Sequence, residues 1–127
     1  MFIDYYMENS KQNELLNRTK LFAHRCVKLA FALPENKLGF HIQGQLIRCS
    51  TSVAANYRAA CIAQSKKSFI AKLAIVIEEV DEANFWMQFL VDENLLKKEL
   101  VDVLIKESAE LTSIFIASRK TAQRNLK

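Results

Sequence analysis

A chain of 127 residues with a formal net charge of +4 is long enough to bury one hydrophobic core without help from disulfides or structural metal. Half of its residues are hydrophobic, and it has only two glycines, Gly39 and Gly44, and one proline, Pro34. That scarcity excludes an all-β sandwich or barrel, whose tight turns need glycine, and the glycine-rich phosphate cradles of dinucleotide-binding and P-loop enzymes.

The spacing of apolar residues predicts four helices. Over residues 13–33, Leu16, Thr19, Ala23, Cys26, Ala30 and Leu33 step by three and four, the mark of one buried helix face, and Pro34 stops the pattern. A short connection through Asn36 leads to a second helix over residues 39–62, on which Ile42, Leu46, Cys49, Val53, Asn56 and Ala60 share a face. Ser65 is placed to cap a third, over residues 66–91, in which Phe69, Leu73, Val76, Val80, Ala83, Met87 and Leu90 keep the same spacing. The fourth, over residues 95–119, is assigned Leu96, Leu100, Leu104, Glu107, Leu111, Ile114 and Ser118 as its inner face, with a basic tail over residues 119–127 that frays after Arg119. Four helices with short connections bury these faces together in an all-α, up-down-up-down antiparallel four-helix bundle, a single domain over residues 1–127.

The opposite faces are not those of solvated helices. Helix two turns Ile47, Thr51, Ala54, Ala55, Arg58 and Ile62 away from its inner face; helix three turns Phe85 and Phe89 away, with Trp86 on the flank, and helix four Ile105 and Ile116. A helix apolar on both sides is normally covered on both sides, so a homo-oligomer is expected, with Ile47, Thr51, Ala54, Ala55, Arg58, Ile62, Phe85 and Phe89 as candidate interface residues.

Charge is segregated along the chain: −2 over residues 1–10, +9 over 11–72, −7 over 73–111 and +4 over 112–127. Such polarity either packs a basic helix pair beside an acidic one or steers an anionic partner to one surface. Candidate phosphate contacts are Arg18, Lys20, Arg25, Lys28, Lys66, Lys67, Arg119, Lys120 and Arg124. The aromatics fall mainly on apolar faces, so binding of RNA or DNA is expected to be dominated by the backbone phosphates rather than by base stacking.

No catalytic set emerges. His24 and His41 stand alone on different helices with no second ligand at helical spacing, so no metal and no other cofactor is expected. Cys26 lies two residues after His24, a spacing that sends the two side chains to different faces. Glu78, Glu79 and Glu82 are read as ion-pair partners of Arg48 or Arg58, and the seam residues Asn56 and Glu107 must find hydrogen-bond partners. Three cysteines without a C-x-x-C spacing suit reduced core thiols. No apolar run is long enough to span a bilayer and no signal-like segment stands at the N-terminus, so a cytoplasmic protein without membrane contact is expected.

The segments QLIRCSTSVAANYRAA (residues 45–60), SKKSFIAKL (65–73), EEVDEANFW (78–86) and ELTSIFIASRKT (110–121), with the Leu33-Pro34 pair, closely resemble the bacterial four-helix-bundle family of 23S rRNA intervening sequence proteins, sometimes labelled S23 ribosomal proteins. The resemblance spans residues 16–122. Many members follow the asparagine matching Asn56 with an acid and a glycine, where this chain has Ala59 and Ala60. The resemblance implies a ring-like homopentamer and an accessory role on nucleic acid, RNA foremost. A protein-interaction scaffold with no direct nucleic-acid role is the alternative, with a protein as the partner.

Overall fold

The computed structural model describes the backbone of residues 2–126 and the side chains of residues 10–126. It consists of four helices, α1 (Phe2–Phe31), α2 (Lys37–Cys61), α3 (Lys66–Asp92) and α4 (Lys98–Arg124), with no strand among the described residues. The tight connections force each helix to run back along the one before it. The α1–α2, α2–α3 and α3–α4 pairs pack closely, while α1 and α4 close the bundle through a much sparser contact.

Local chemistry sets the helix ends. Asn36 caps α2 by accepting from the Gly39 N–H at 2.8 Å, which starts this helix two residues before the periodicity suggested. Position 39 has no room for a side chain, because a Cβ there would lie 1.8 Å from the Pro34 carbonyl oxygen. Ser65 caps α3 as expected, accepting from the Ser68 N–H at 3.1 Å. At the far end of α3, Asn94 adopts the left-handed conformation (φ 57°) and the Leu95 N–H returns to the Leu90 carbonyl at 3.0 Å, which reverses the chain into α4.

The core is a continuous file of fully buried side chains, with Phe22, Cys26, Leu46, Cys49, Val53, Leu73, Val76, Val80, Met87, Leu111 and Phe115 at its centre. Each large member contributes about 1.5–3 kcal/mol through removal from water. The inner faces predicted for α1, α2 and α3 are the buried ones, with Leu16, Asn56 and Phe69 half-buried at their edges. The inner face of α4 is different: Val101, Leu104, Ser108, Leu111, Phe115 and Ala122 are buried, whereas Leu100 is 62% exposed. The last helix also continues to Arg124 instead of fraying after Arg119, because nothing between Arg119 and Arg124 breaks a helix and Ala122 is buried.

Ser108 can occupy a core position because Asn84 of α3 donates to its hydroxyl at 2.8 Å, and the hydroxyl donates to the Ile105 carbonyl at 2.7 Å. Buried Thr19 donates to the Leu15 carbonyl at 2.8 Å. Asn56 donates to the Ser52 hydroxyl at 2.8 Å, so the polar seam residue finds its partner one turn back on its own helix.

Candidate functional site

Among the described residues the nine candidate cations fall into three settings. Arg18, on α1, is half-buried and committed to α4: its guanidinium donates to both Glu107 oxygens at 2.7 and 2.8 Å and contacts Glu110 at 2.8 Å. This forked arrangement holds the Glu107 carboxyl below the usual carboxylate range and bridges the sparse α1–α4 seam. Arg119, also half-buried, donates to the Ile70 carbonyl at 3.2 Å and so ties α4 to α3. Both arginines hold helices together, Arg18 through a fully engaged fork and Arg119 through its Nε alone.

Four cations gather at the end of the bundle where α2 turns into α3. Lys66 and Lys67 open α3, and Lys120 and Arg124 lie in the last two turns of α4; all four are exposed. The ammonium of Lys66 reaches the Asn125 carbonyl at 3.4 Å, which shows that the start of α3 and the end of α4 are adjacent there. Beside them, where α1 and α4 part, runs an open groove of about 900 Å³. Its floor is apolar, from Leu15, Phe69 and Ile114, and its walls carry Lys11, the Glu14 carboxylate, the Gln64 amide and the Ser65, Ser118 and Thr121 hydroxyls. The cations and the neutral donors can hold phosphate oxygens, while the Glu14 carboxylate repels them and favours contact at the cationic end of the groove. Lys20, Arg25 and Lys28 are exposed too, but along α1 rather than at this end.

Of the outward apolar residues, Thr51, Ala55, Arg58, Ile62 and Phe85 are exposed, with Ile62 at 77% and Phe85 at 53%. Ile47, Ala54 and Phe89 are half-buried, as are Trp86 and Ile105, because the bundle covers part of each; Ile116 is exposed. Phe85 and Phe89 each meet Trp86 edge to face, with centroids 5.0 and 6.0 Å apart, and His41 meets the Trp86 ring at 5.5 Å. Arg48 contacts Glu79 at 3.0 Å and also pairs with Glu82, which in turn accepts from the Trp86 indole at 3.1 Å. Glu79 and Glu82 thus meet Arg48 as the sequence suggests, whereas the exposed Glu78 makes no ion pair among the described residues. Arg58 makes no ion pair among the described residues, and its exposed side chain was readable only as one more position on the outer face of α2. Leu21, Phe31, Phe40, Leu100 and Val103 are large apolar side chains more than half exposed that the helix spacing did not single out as contact residues.

The thiols are poor nucleophiles. Cys26 and Cys49 are buried and Cys61 is half-buried, with burial pushing Cys49 up to about 12 and raising the other two. His24 is exposed while Cys26 is buried, so the two do not form a nucleophile and base. Among the described residues no three metal-ligating side chains gather, and no helix is long and apolar enough to cross a membrane.

The 23S rRNA-intervening sequence protein family model matches residues 11–117. A solved structure with the same fold is that of a protein of unknown function from the S23 ribosomal protein family of Bacteroides thetaiotaomicron, 30% identical, with a TM-score of 0.77 over 83% of this chain and 97% of that one. No curated protein matches the chain. With the family match covering most of the sequence and the same bundle found in an S23 relative, the chain belongs to the 23S rRNA-intervening sequence protein family.

Proposed function

We propose that the chain is a non-enzymatic cytoplasmic protein that assembles as a homo-oligomer, a homopentamer in its most natural form, and binds RNA through backbone phosphates without a cofactor. The observation that carries this reading is the cluster of Lys66, Lys67, Lys120 and Arg124 at one end of the bundle, beside a groove lined with hydroxyls and amides. Repetition of that end around an oligomer multiplies weak phosphate contacts into useful affinity. Charge, rather than base sequence, sets the strength of such binding.

Titration of structured RNA and duplex DNA with the purified oligomer over a salt series tests it. On logarithmic axes affinity falls linearly with salt, and replacing Lys66, Lys67, Lys120 and Arg124 together with Gln flattens the slope by about 0.7–0.9 per lost phosphate contact for unrelated sequences alike. Absence of any complex at about 50 mM salt, where such contacts are strongest, overturns the reading. A protein scaffold is the second reading, favoured by Leu100 and Val103, which protrude from α4 at 62% and 57% exposure. It expects a protein partner whose capture survives nuclease.

A further inference from the structure

The two charge runs of the sequence come to lie on opposite sides of the bundle. α1 and α3 each pack against α2 and α4 but not against each other, so their outward faces point in opposite directions. On α1 that face carries Leu21 and Phe31, 56% and 69% exposed, with exposed Lys28 between them and exposed Arg25 at its edge, on the flank toward α4 where its charge also acts on Glu107. On α3 it carries Ile75 and Phe85, 38% and 53% exposed, with exposed Glu78 and Asp81 between them. The apolar pair is ten residues apart in both helices, about 15 Å at the rise of an α-helix. The two stripes therefore have the same spacing and opposite charge.

They also stand at the same height. Gln43 of α2 donates to the Ala30 carbonyl, which places Ala30 level with Gln43, and His41, half a turn away on α2, contacts the Trp86 ring. Phe31 and Phe85 are the sequence neighbours of Ala30 and Trp86, so they sit within about one helical turn of each other along the bundle axis. Because α1 and α3 run parallel, Leu21 and Ile75 are level as well. Arg25, Lys28, Glu78 and Asp81 form no ion pair among the described residues, although Glu79 and Glu82 on the same helix are taken by Arg48.

We infer that the outward face of α1 docks on the outward face of α3 of a second copy lying parallel to the first and level with it, Leu21 and Phe31 meeting Ile75 and Phe85 while Arg25 and Lys28 meet Glu78 and Asp81. This rests on the oligomeric reading above and names its contact. The interface is head-to-tail, each copy offering one face of each kind. Because the stripes are level, successive copies joined in this way do not climb along the bundle axis. Apolar anchors supply the attraction, and the complementary charges fix orientation and exclude the α1–α1 and α3–α3 pairings.

Charge exchange tests the contact by sedimentation. Arg25→Glu with Lys28→Glu, and separately Glu78→Lys with Asp81→Lys, put like charges face to face and raise the dissociation constant about a hundredfold or more. All four substitutions in one chain restore the assembly, because the faces are complementary again with signs exchanged. Helix content stays that of the wild type, since all four side chains are exposed. Should a reversed variant lose helix content, Arg25→Gln with Lys28→Gln gives a smaller weakening of the same sign and serves in its place. Wild-type assembly that either double variant leaves intact, or that the fourfold variant fails to restore, overturns this contact alone. A wild-type chain that is monomeric at every concentration overturns the oligomeric reading together with it.

Discussion

The bundle's two outer seams are built on different principles. Between α2 and α3, Leu46, Cys49 and Val53 lie in one file with Leu73, Val76 and Val80, all fully buried, and the Arg48 ion pairs with Glu79 and Glu82 sit outside that file. Between α1 and α4 the contact is sparse, its strongest link is the half-buried Arg18–Glu107 pair, and beyond that link the helices part to form the groove. The first seam is given wholly to stability. The second leaves side chains exposed, and the four exposed cations gather at its open end.

Substitutions that weaken one seam and spare the other sharpen this contrast. The largest effect belongs to the closed seam: Leu73→Ala creates a cavity in a fully buried file and costs about 2–5 kcal/mol in chemical denaturation. The half-buried Leu15→Ala, on the groove floor, costs about 1 kcal/mol or less, since solvent reaches the space it leaves. Equal losses at the two positions would show that the seams do not differ.

Next in size is Glu107→Gln, which leaves the Arg18 guanidinium without its forked partner and costs about 1.5–3 kcal/mol. Arg48→Gln removes a more exposed pair and costs no more than about 1 kcal/mol, measured in the same way. The pH dependence follows from the same two links. Glu107 and Glu82 are held below the usual carboxylate range by hydrogen bonds from Arg18 and Arg48. Their contribution is fully present above the unfolded-state carboxylate pKa and is lost as pH falls through the lowered folded-state values. Denaturation midpoints measured from neutral pH downward therefore drop on acidification, and Glu107→Gln removes more of that drop than Glu82→Gln does. The smallest effect is a gain: a Cβ at Gly44 meets nothing within 4 Å, so Gly44→Ala stabilises α2 by about 0.5–1 kcal/mol in the same assay.

Three of the four inner faces are legible from spacing, because on α1, α2 and α3 one series runs without a break at steps of three and four. On α4 two series overlap. Leu96, Leu100 and Leu104 form a run of leucines that outranks Val101, Ser108 and Phe115 by hydrophobicity, yet of the leucines only Leu104 is buried, whereas Val101, Ser108 and Phe115 all are, with Asn84 satisfying Ser108 from α3. A core serine becomes intelligible only once its partner on another helix is known. The same reason hid the fate of Arg18, whose partner Glu107 lies 89 residues away. Charge segregation marked the basic half of the chain, but only the packing separates cations that bind helices together, Arg18 and Arg119, from those left exposed at the α2–α3 end and along α1. The outward apolar residues of α2 and α3 were read from their angular position, whereas Leu21 and Phe31 sit among charges on α1 and gave no periodic signal.

If the open end of the bundle serves nucleic acid while the outward face of α1 serves assembly, the two roles separate in one paired measurement. RNA affinity at fixed salt and sedimentation mass are determined for two variants, one with Gln in place of Lys66, Lys67, Lys120 and Arg124, the other with Gln in place of Arg25 and Lys28. The first variant is expected to lose RNA affinity while keeping the wild-type mass, and the second to weaken the assembly and lose RNA affinity only in the measure that multivalency is lost, so that affinity returns when protein concentration restores the oligomer. Equal loss of RNA affinity in both variants at unchanged mass would contradict it.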